Sequence, residues 1–141
     1  MDNLDNEMRL MFQAKSCNEA LARMTVAAFV TPLNPTLEEL ADMKTAVSEA
    51  VTNAIIHGYG ESDGIVELWC GRRGKEIYFH VKDTGVGIPD IAAAMEPMYT
   101  TKPELERSGM GFSFMEAFTD ELTVESAEGE GTVVKMKKVI W

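Results

Sequence analysis

The sequence predicts a two-layer α/β sandwich, one mixed and largely antiparallel sheet with helices on one face. Three observations carry that expectation. Residues 76–82 alternate, with Ile77, Phe79 and Val81 on one side and Tyr78, His80 and Lys82 on the other. Leu37, Leu40, Met43, Val47, Ala50, Val51 and Ala54 recur at the helical period. Strand-like and helical stretches then follow one another with no repeat, linker or low-complexity tract. The 141 residues are therefore expected to form a single domain, 1–141, able to bury roughly 68–70% of its unfolded surface.

In chain order, residues 7–14 alternate loosely and read as the first strand. Ser16 to Glu19 matches a capping box, and the first helix runs from Ala20 to Val30, where Thr31-Pro32 stops it. Thr36 and Glu39 repeat that cap ahead of the second, longer helix, which Gly58 should end. Two strands, 65–70 and 76–82, are expected around a polar turn from Gly71 to Gly74. A short helix over 90–95 precedes a loop over 96–107, which carries Pro97 and Pro103 and has no periodicity. A helix then follows Gly111, with Phe112, Met115 and Phe118 inward. Leu122 to Ser126 and Thr132 to Ile140 close the chain as a hairpin.

Composition narrows the function. Hydrophobic residues make up 45% and charged residues 26%, as in ordinary globular chains. A net charge of −10 repels a phosphate backbone, so direct nucleic-acid binding is not expected. No apolar run approaches the ~20 residues that cross a bilayer, and the acidic N-terminus has no signal-peptide pattern. A cytoplasmic protein is expected, with no membrane partner. Cys17 and Cys70 lack CxxC spacing and read as two buried, reduced thiols. His57 and His80 fit no zinc spacing. Ten methionines are core filler.

Three segments carry candidate chemistry. Glu49 and Asn53 stand one turn apart on the second helix and project together, away from the apolar stripe. Alone they would be a solvated polar face. The apolar run from Ala54 to Ile56 beside them argues instead for a cleft. Asp83 ends an alternating strand ahead of Gly85 and Gly87, whose freedom at φ lets backbone approach a flat ligand. A carboxylate there suits an exocyclic amine such as adenine's, although a plain Asp-Gly turn has the same pattern. No Walker sequence occurs. Ser108, Gly109 and Gly111 open a helix, where free N–H groups favour an anion as readily as they make a structural cap. Thr100, Thr101, Lys102 and Arg107 precede them as possible donors to polyphosphate.

In this order the segments resemble the ATP-binding fold shared by gyrase, the ninety-kilodalton heat-shock chaperone, histidine kinases and MutL, the histidine-kinase-like ATPase fold. Nearly the whole chain, about residues 7–138, is similar to the anti-sigma-F family of endospore-forming bacteria. The closest stretches are VSEAVTNAIIHG at 47–58, GVGIPD at 85–90 and TTKPELERSGMGF at 100–112. The resemblance implies a serine-protein kinase that binds and silences sporulation sigma factor F and phosphorylates an anti-anti-sigma factor.

It also implies roles. Glu49 is then the general base, with Lys102 and Arg107 stabilising the transferring phosphoryl group. Asn53 coordinates Mg2+ beside ATP or ADP. Asp83, Gly85, Gly87 and Thr132 receive the adenine, and Thr101, Ser108, Gly109 and Gly111 the phosphates. Glu19 and Arg23, on the exposed side of the first helix, match partner-docking positions, although their spacing also makes an ordinary ion pair. A homodimer is implied, with the first strand and helix at or near its interface. Only a short acidic tail is seen ahead of Glu7, with no phosphoacceptor histidine helix, so serine phosphorylation in trans is expected. The alternatives are a related switch-type kinase for a stress-response sigma factor, or a non-catalytic ATP-gated sigma-binding module.

Overall fold

A computed structural model describes residues 3–58, 64–85, 111–127 and 129–141. Its elements are β1 (Asn6–Gln13), α1 (Asn18–Val30), α2 (Leu37–Asn53), β2 (Ile65–Arg73), β3 (Glu76–Asp83), α3 (Gly111–Ala117), β4 (Glu121–Ala127) and β5 (Gly131–Val139). A 3-10 turn over Thr31–Leu33 follows α1, and a π-helical turn over Ala54–Gly58 follows α2. The expected elements over 90–107 lie outside the described residues.

The strands form one sheet in the order β1-β2-β3-β5-β4. All of its neighbours pair antiparallel, so the described residues contain no parallel pair. Alternation sorts the two faces. Leu68, Ile77, Phe79, Val134 and Met136 turn inward and meet Val26, Met43, Val47, Val51 and Met115 from the helices. The outer face carries Glu7, Arg9, Glu67, Trp69, His80 and Lys82.

Three local expectations fail for identifiable reasons. The turn between β2 and β3 is Gly74-Lys75, since Arg73 already pairs with Glu76. Gly71 remains in the strand, where the Trp69 ring covers the space a Cβ would need. Gly74, at φ +58°, supplies the left-handed residue that a two-residue hairpin requires. Leu37 opens α2 with 86% of its surface exposed, so the buried stripe starts later, at Leu40 and Met43. The Ser16–Glu19 capping box is not formed, because α1 begins at Asn18 without a side-chain cap.

The second capping box is formed. Thr36 Oγ1 accepts from Glu39 N at 3.0 Å, and Glu39 Oε1 accepts from Thr36 N at 2.8 Å. Glu39 Oε2 also accepts from Trp141 N at 2.9 Å, and Lys138 lies 3.7 Å from Asp42, so the end of β5 and the C-terminal residue are tied to the first half of α2. These N–H donors hold the Glu39 carboxyl below its usual range. Thr36→Ala is expected to cost about 1 kcal/mol, or roughly 3–5 °C of melting temperature, measurable by circular dichroism.

Candidate functional site

Asp83 is the last residue of β3 and is only 4% exposed. Its Oδ1 accepts from Gly85 N at 3.0 Å, and its carboxylate also accepts from the Thr132 backbone N–H. Thr132 lies directly opposite on β5 and is likewise 4% exposed. Three of the expected adenine residues, Asp83, Gly85 and Thr132, are thus brought together. Gly87 lies outside the described residues, as do Thr101, Lys102, Arg107, Ser108 and Gly109. Gly111 is the first residue of α3, as expected.

Burial pushes the Asp83 carboxyl above its ordinary value of 3.8, and the Gly85 and Thr132 N–H groups pull it partly back. The folded chain therefore binds this proton more tightly than the unfolded chain. The contribution to stability is fullest below the ordinary value and is lost as pH rises through the raised one. Urea melts across that window should show wild type falling relative to Asp83→Asn, whose side chain does not titrate. Parallel curves would remove Asp83 as the source.

Glu49 and Asn53 are half-buried on α2, one turn apart, while Val47, Ala50 and Val51 face the core. Directly after Asn53 the backbone widens into the π turn, which packs against β3 and β5. The helix with the polar pair therefore ends on the two strands that carry Asp83 and Thr132. Such π-helical turns are frequent at functional sites.

Glu19 and Arg23 form the expected i,i+4 pair at 3.2 Å. Glu19 is not on an exposed side, however: its side chain is 14% exposed, and Ser48 Oγ of α2 hydrogen-bonds to its Oε1. The carboxylate is thus engaged by Ser48 and Arg23, while α1 takes Cys17 as its N-cap and so places neither Ser16 nor Glu19 at a capping-box position. Arg23 remains 40% exposed.

Two further differences concern the thiols and the outer face. Cys17 is exposed, whereas Cys70 is buried and pushed up to about 12 by desolvation. A cavity of about 400 Å³ lies on the outer face of the sheet, lined by Arg9, Trp69, His80, Lys82 and Val133 among others. Among the described residues no group of three or more His, Cys, Asp or Glu could hold a metal. No helix there is long and apolar enough to cross a membrane.

Gly131 is the site residue that sequence reasoning missed. At φ +99° it passes so close to β3 that an added Cβ would stand 2.2 Å from the Asp83 carbonyl oxygen. In the sequence it is one glycine of a hairpin loop, with nothing to mark that approach.

The profile of the histidine kinase-like ATPase domain family matches residues 12–138. A protein of Clostridium kluyveri named anti-sigma F factor is 58% identical over 135 residues, covering 96% of this chain and 95% of its own. One of the same name from Geobacillus kaustophilus is 57% identical, covering 96% and 93%. Among solved structures, the RsbU and RsbW domains of a Mycobacterium tuberculosis protein superpose with a TM-score of 0.68 at 17% identity, over 96% of this chain and 32% of that one. The catalytic domain of the histidine kinase ThkA gives 0.57 at 16% identity, over 94% and 97%. At those identities the two structures speak for the fold alone.

Proposed function

The chain belongs to the anti-sigma F factors, and with them to the histidine kinase-like ATPase domain family, and from that premise we propose that it is an ATP:protein serine kinase that also holds sigma factor F inactive. The observation that carries the reading is the meeting of the Glu49/Asn53 helix with the strands that bear Asp83 and Thr132, through the π turn between them. Asp83 accepts from the adenine amine, and Gly85 and Gly87 leave room for the base, with Thr132 beside them. Thr101, Ser108, Gly109 and Gly111 receive the phosphates.

Phosphoryl transfer from ATP calls for Mg2+ beside the phosphates. That ion takes one or two protein oxygens and fills the remaining positions from phosphates and water. Asn53 would hold that ion through its side-chain oxygen, and the ion would offset phosphate charge when bound. Glu49 takes the proton from a serine hydroxyl of the anti-anti-sigma factor as its oxygen bonds to the γ-phosphorus and ADP departs. Lys102 and Arg107 offset the charge on the transferring group. Positioning and electrostatics dominate such transfers.

Partners dock on α1 through Arg23, held in place by Glu19. Exposed Met11 on β1 and Leu21 and Met24 on α1 support a homodimer that uses the first strand and helix. A cytoplasmic location follows from a sigma factor as partner. The test is incubation with γ-labelled ATP, Mg2+ and the purified anti-anti-sigma factor, then mapping of the label. Label on a serine of the partner is expected; label on histidine, or none, overturns the kinase reading.

A further inference from the structure

We infer that Ser48 is a positioning residue for partner docking: from α2 it holds the Glu19 carboxylate, and through it sets the Arg23 guanidinium of α1 in place before a partner arrives. The inference rests on the docking reading above. It gives a role to a side chain that would touch neither partner nor nucleotide.

Ser48 is buried where α2 packs against α1. Its hydroxyl donates to Glu19 Oε1, the same oxygen that accepts from Arg23 Nη1 at 3.2 Å. An ionised carboxylate only accepts, so the proton between Ser48 and Glu19 belongs to the serine and the sense of the bond is fixed. The hydroxyls of Thr25 and Thr31, by contrast, turn back on α1 and donate to the Leu21 and Ala27 carbonyls four residues earlier. Ser48 reaches across to the other helix.

A Glu and an Arg four residues apart on an exposed helix make a weak pair, because two long side chains must be ordered against solvent. Glu19 is in a different position. Its side chain is mostly buried and is engaged from α2, while Arg23 keeps 40% of its side chain exposed. The guanidinium carries five N–H donors, so a bond to Glu19 leaves others for a partner. A guanidinium already tethered at one nitrogen loses less freedom when a partner captures it. Ser48 also directly precedes Glu49, so one side-chain hydrogen bond joins the docking residues of α1 to the turn of α2 that bears the base.

The test is a double-mutant cycle on the full chain. Dissociation constants for the sigma factor with ATP and Mg2+ are measured for wild type, Ser48→Ala, Arg23→Ala and the double variant. KM and kcat for phosphorylation of the anti-anti-sigma factor are measured alongside. Ser48→Ala should weaken sigma binding roughly three- to tenfold and raise KM by a similar factor, with kcat and ATP affinity within about twofold of wild type. In the Arg23→Ala background, Ser48→Ala should cost nothing further, because the group it positions is gone. A serine that merely supports the helix pair would weaken binding by the same factor in both backgrounds, and that result overturns the inference. So does Ser48→Ala with unchanged binding and KM, or with a loss confined to kcat. Should Ser48→Ala not fold, Ser48→Cys, close in size with a weaker donor, enters the same cycle under the same criterion. Arg23→Ala that binds and phosphorylates as wild type defeats the docking reading and this inference with it. A weakened Arg23→Ala beside an unaffected Ser48→Ala defeats only this one.

Discussion

Glu49→Ala is expected to slow phosphoryl transfer to a partner serine by roughly 10²–10⁴, about 3–5 kcal/mol of transition-state stabilisation. ATP affinity and sigma-factor binding should stay within about threefold of wild type, since a general base acts on the acceptor hydroxyl and not on the nucleotide. The substitution leaves the core packing in place. Glu49 is half-buried on the polar side of α2, alanine favours helix, and Met43, Val47 and Val51 keep their packing. Asn53→Ala should behave differently and weaken Mg2+-dependent nucleotide binding. Single-turnover transfer alongside equilibrium sigma binding distinguishes the cases. A loss of sigma binding as large as the loss of transfer would remove Glu49 from the role of base.

Gly131→Ala should be strongly damaging for so small a substitution. Its Cβ would be placed 2.2 Å from the Asp83 carbonyl oxygen and 2.7 Å from Thr84 Cα. At φ +99° the backbone is also strained for any L side chain. The obstruction is main chain, and the β3–β5 ladder holds it from Asp83 back to Glu76, so neither strand can yield locally. A cost of about 2–4 kcal/mol follows, with roughly 6–15 °C lost from the melting temperature. Nucleotide affinity should fall with it, because the displaced residue is Asp83. Gly129→Ala is the control: φ is +81° there, but no atom lies within 4 Å of the new Cβ. Only the conformational penalty remains, about 1 kcal/mol. Equal costs at the two positions would show that the close approach to Asp83 does not matter.

These two residues show where sequence reading succeeds and where it stops. Glu49 and Asn53 were legible because a helical turn fixes which side chains share a face. The Thr36–Glu39 box was legible for the same reason, since both partners lie within one turn. Ser16 and Glu19 carry the same local signal, yet α1 takes Cys17 as its N-cap and the carboxylate meets Ser48 of another helix, a contact no local pattern contains. Gly131 fails similarly: its neighbour in space is Asp83, far away in the chain. Leu37 obeys the helical period but has no element over it, because periodicity gives a direction and not the extent of what lies there. In the sequence, Gly71 and Gly74 alike read as parts of one turn. Only pairing with β3 separates the strand glycine from the turn glycine. The sheet and its helical cover were readable from alternation, while the contacts between elements that finish the site were not.

The strand order also bears on how the chain is assembled during translation. β5 emerges from the ribosome after β4, yet it occupies the place between β3 and β4. Until it arrives, β4 has no neighbour to pair with, and Asp83 stands on an open edge without Thr132 across from it. A nascent chain halted before Gly131 therefore exposes two unfinished strand edges, the kind of surface that invites aggregation and chaperone capture. A premature stop there would remove the interior of the sheet and not merely a tail.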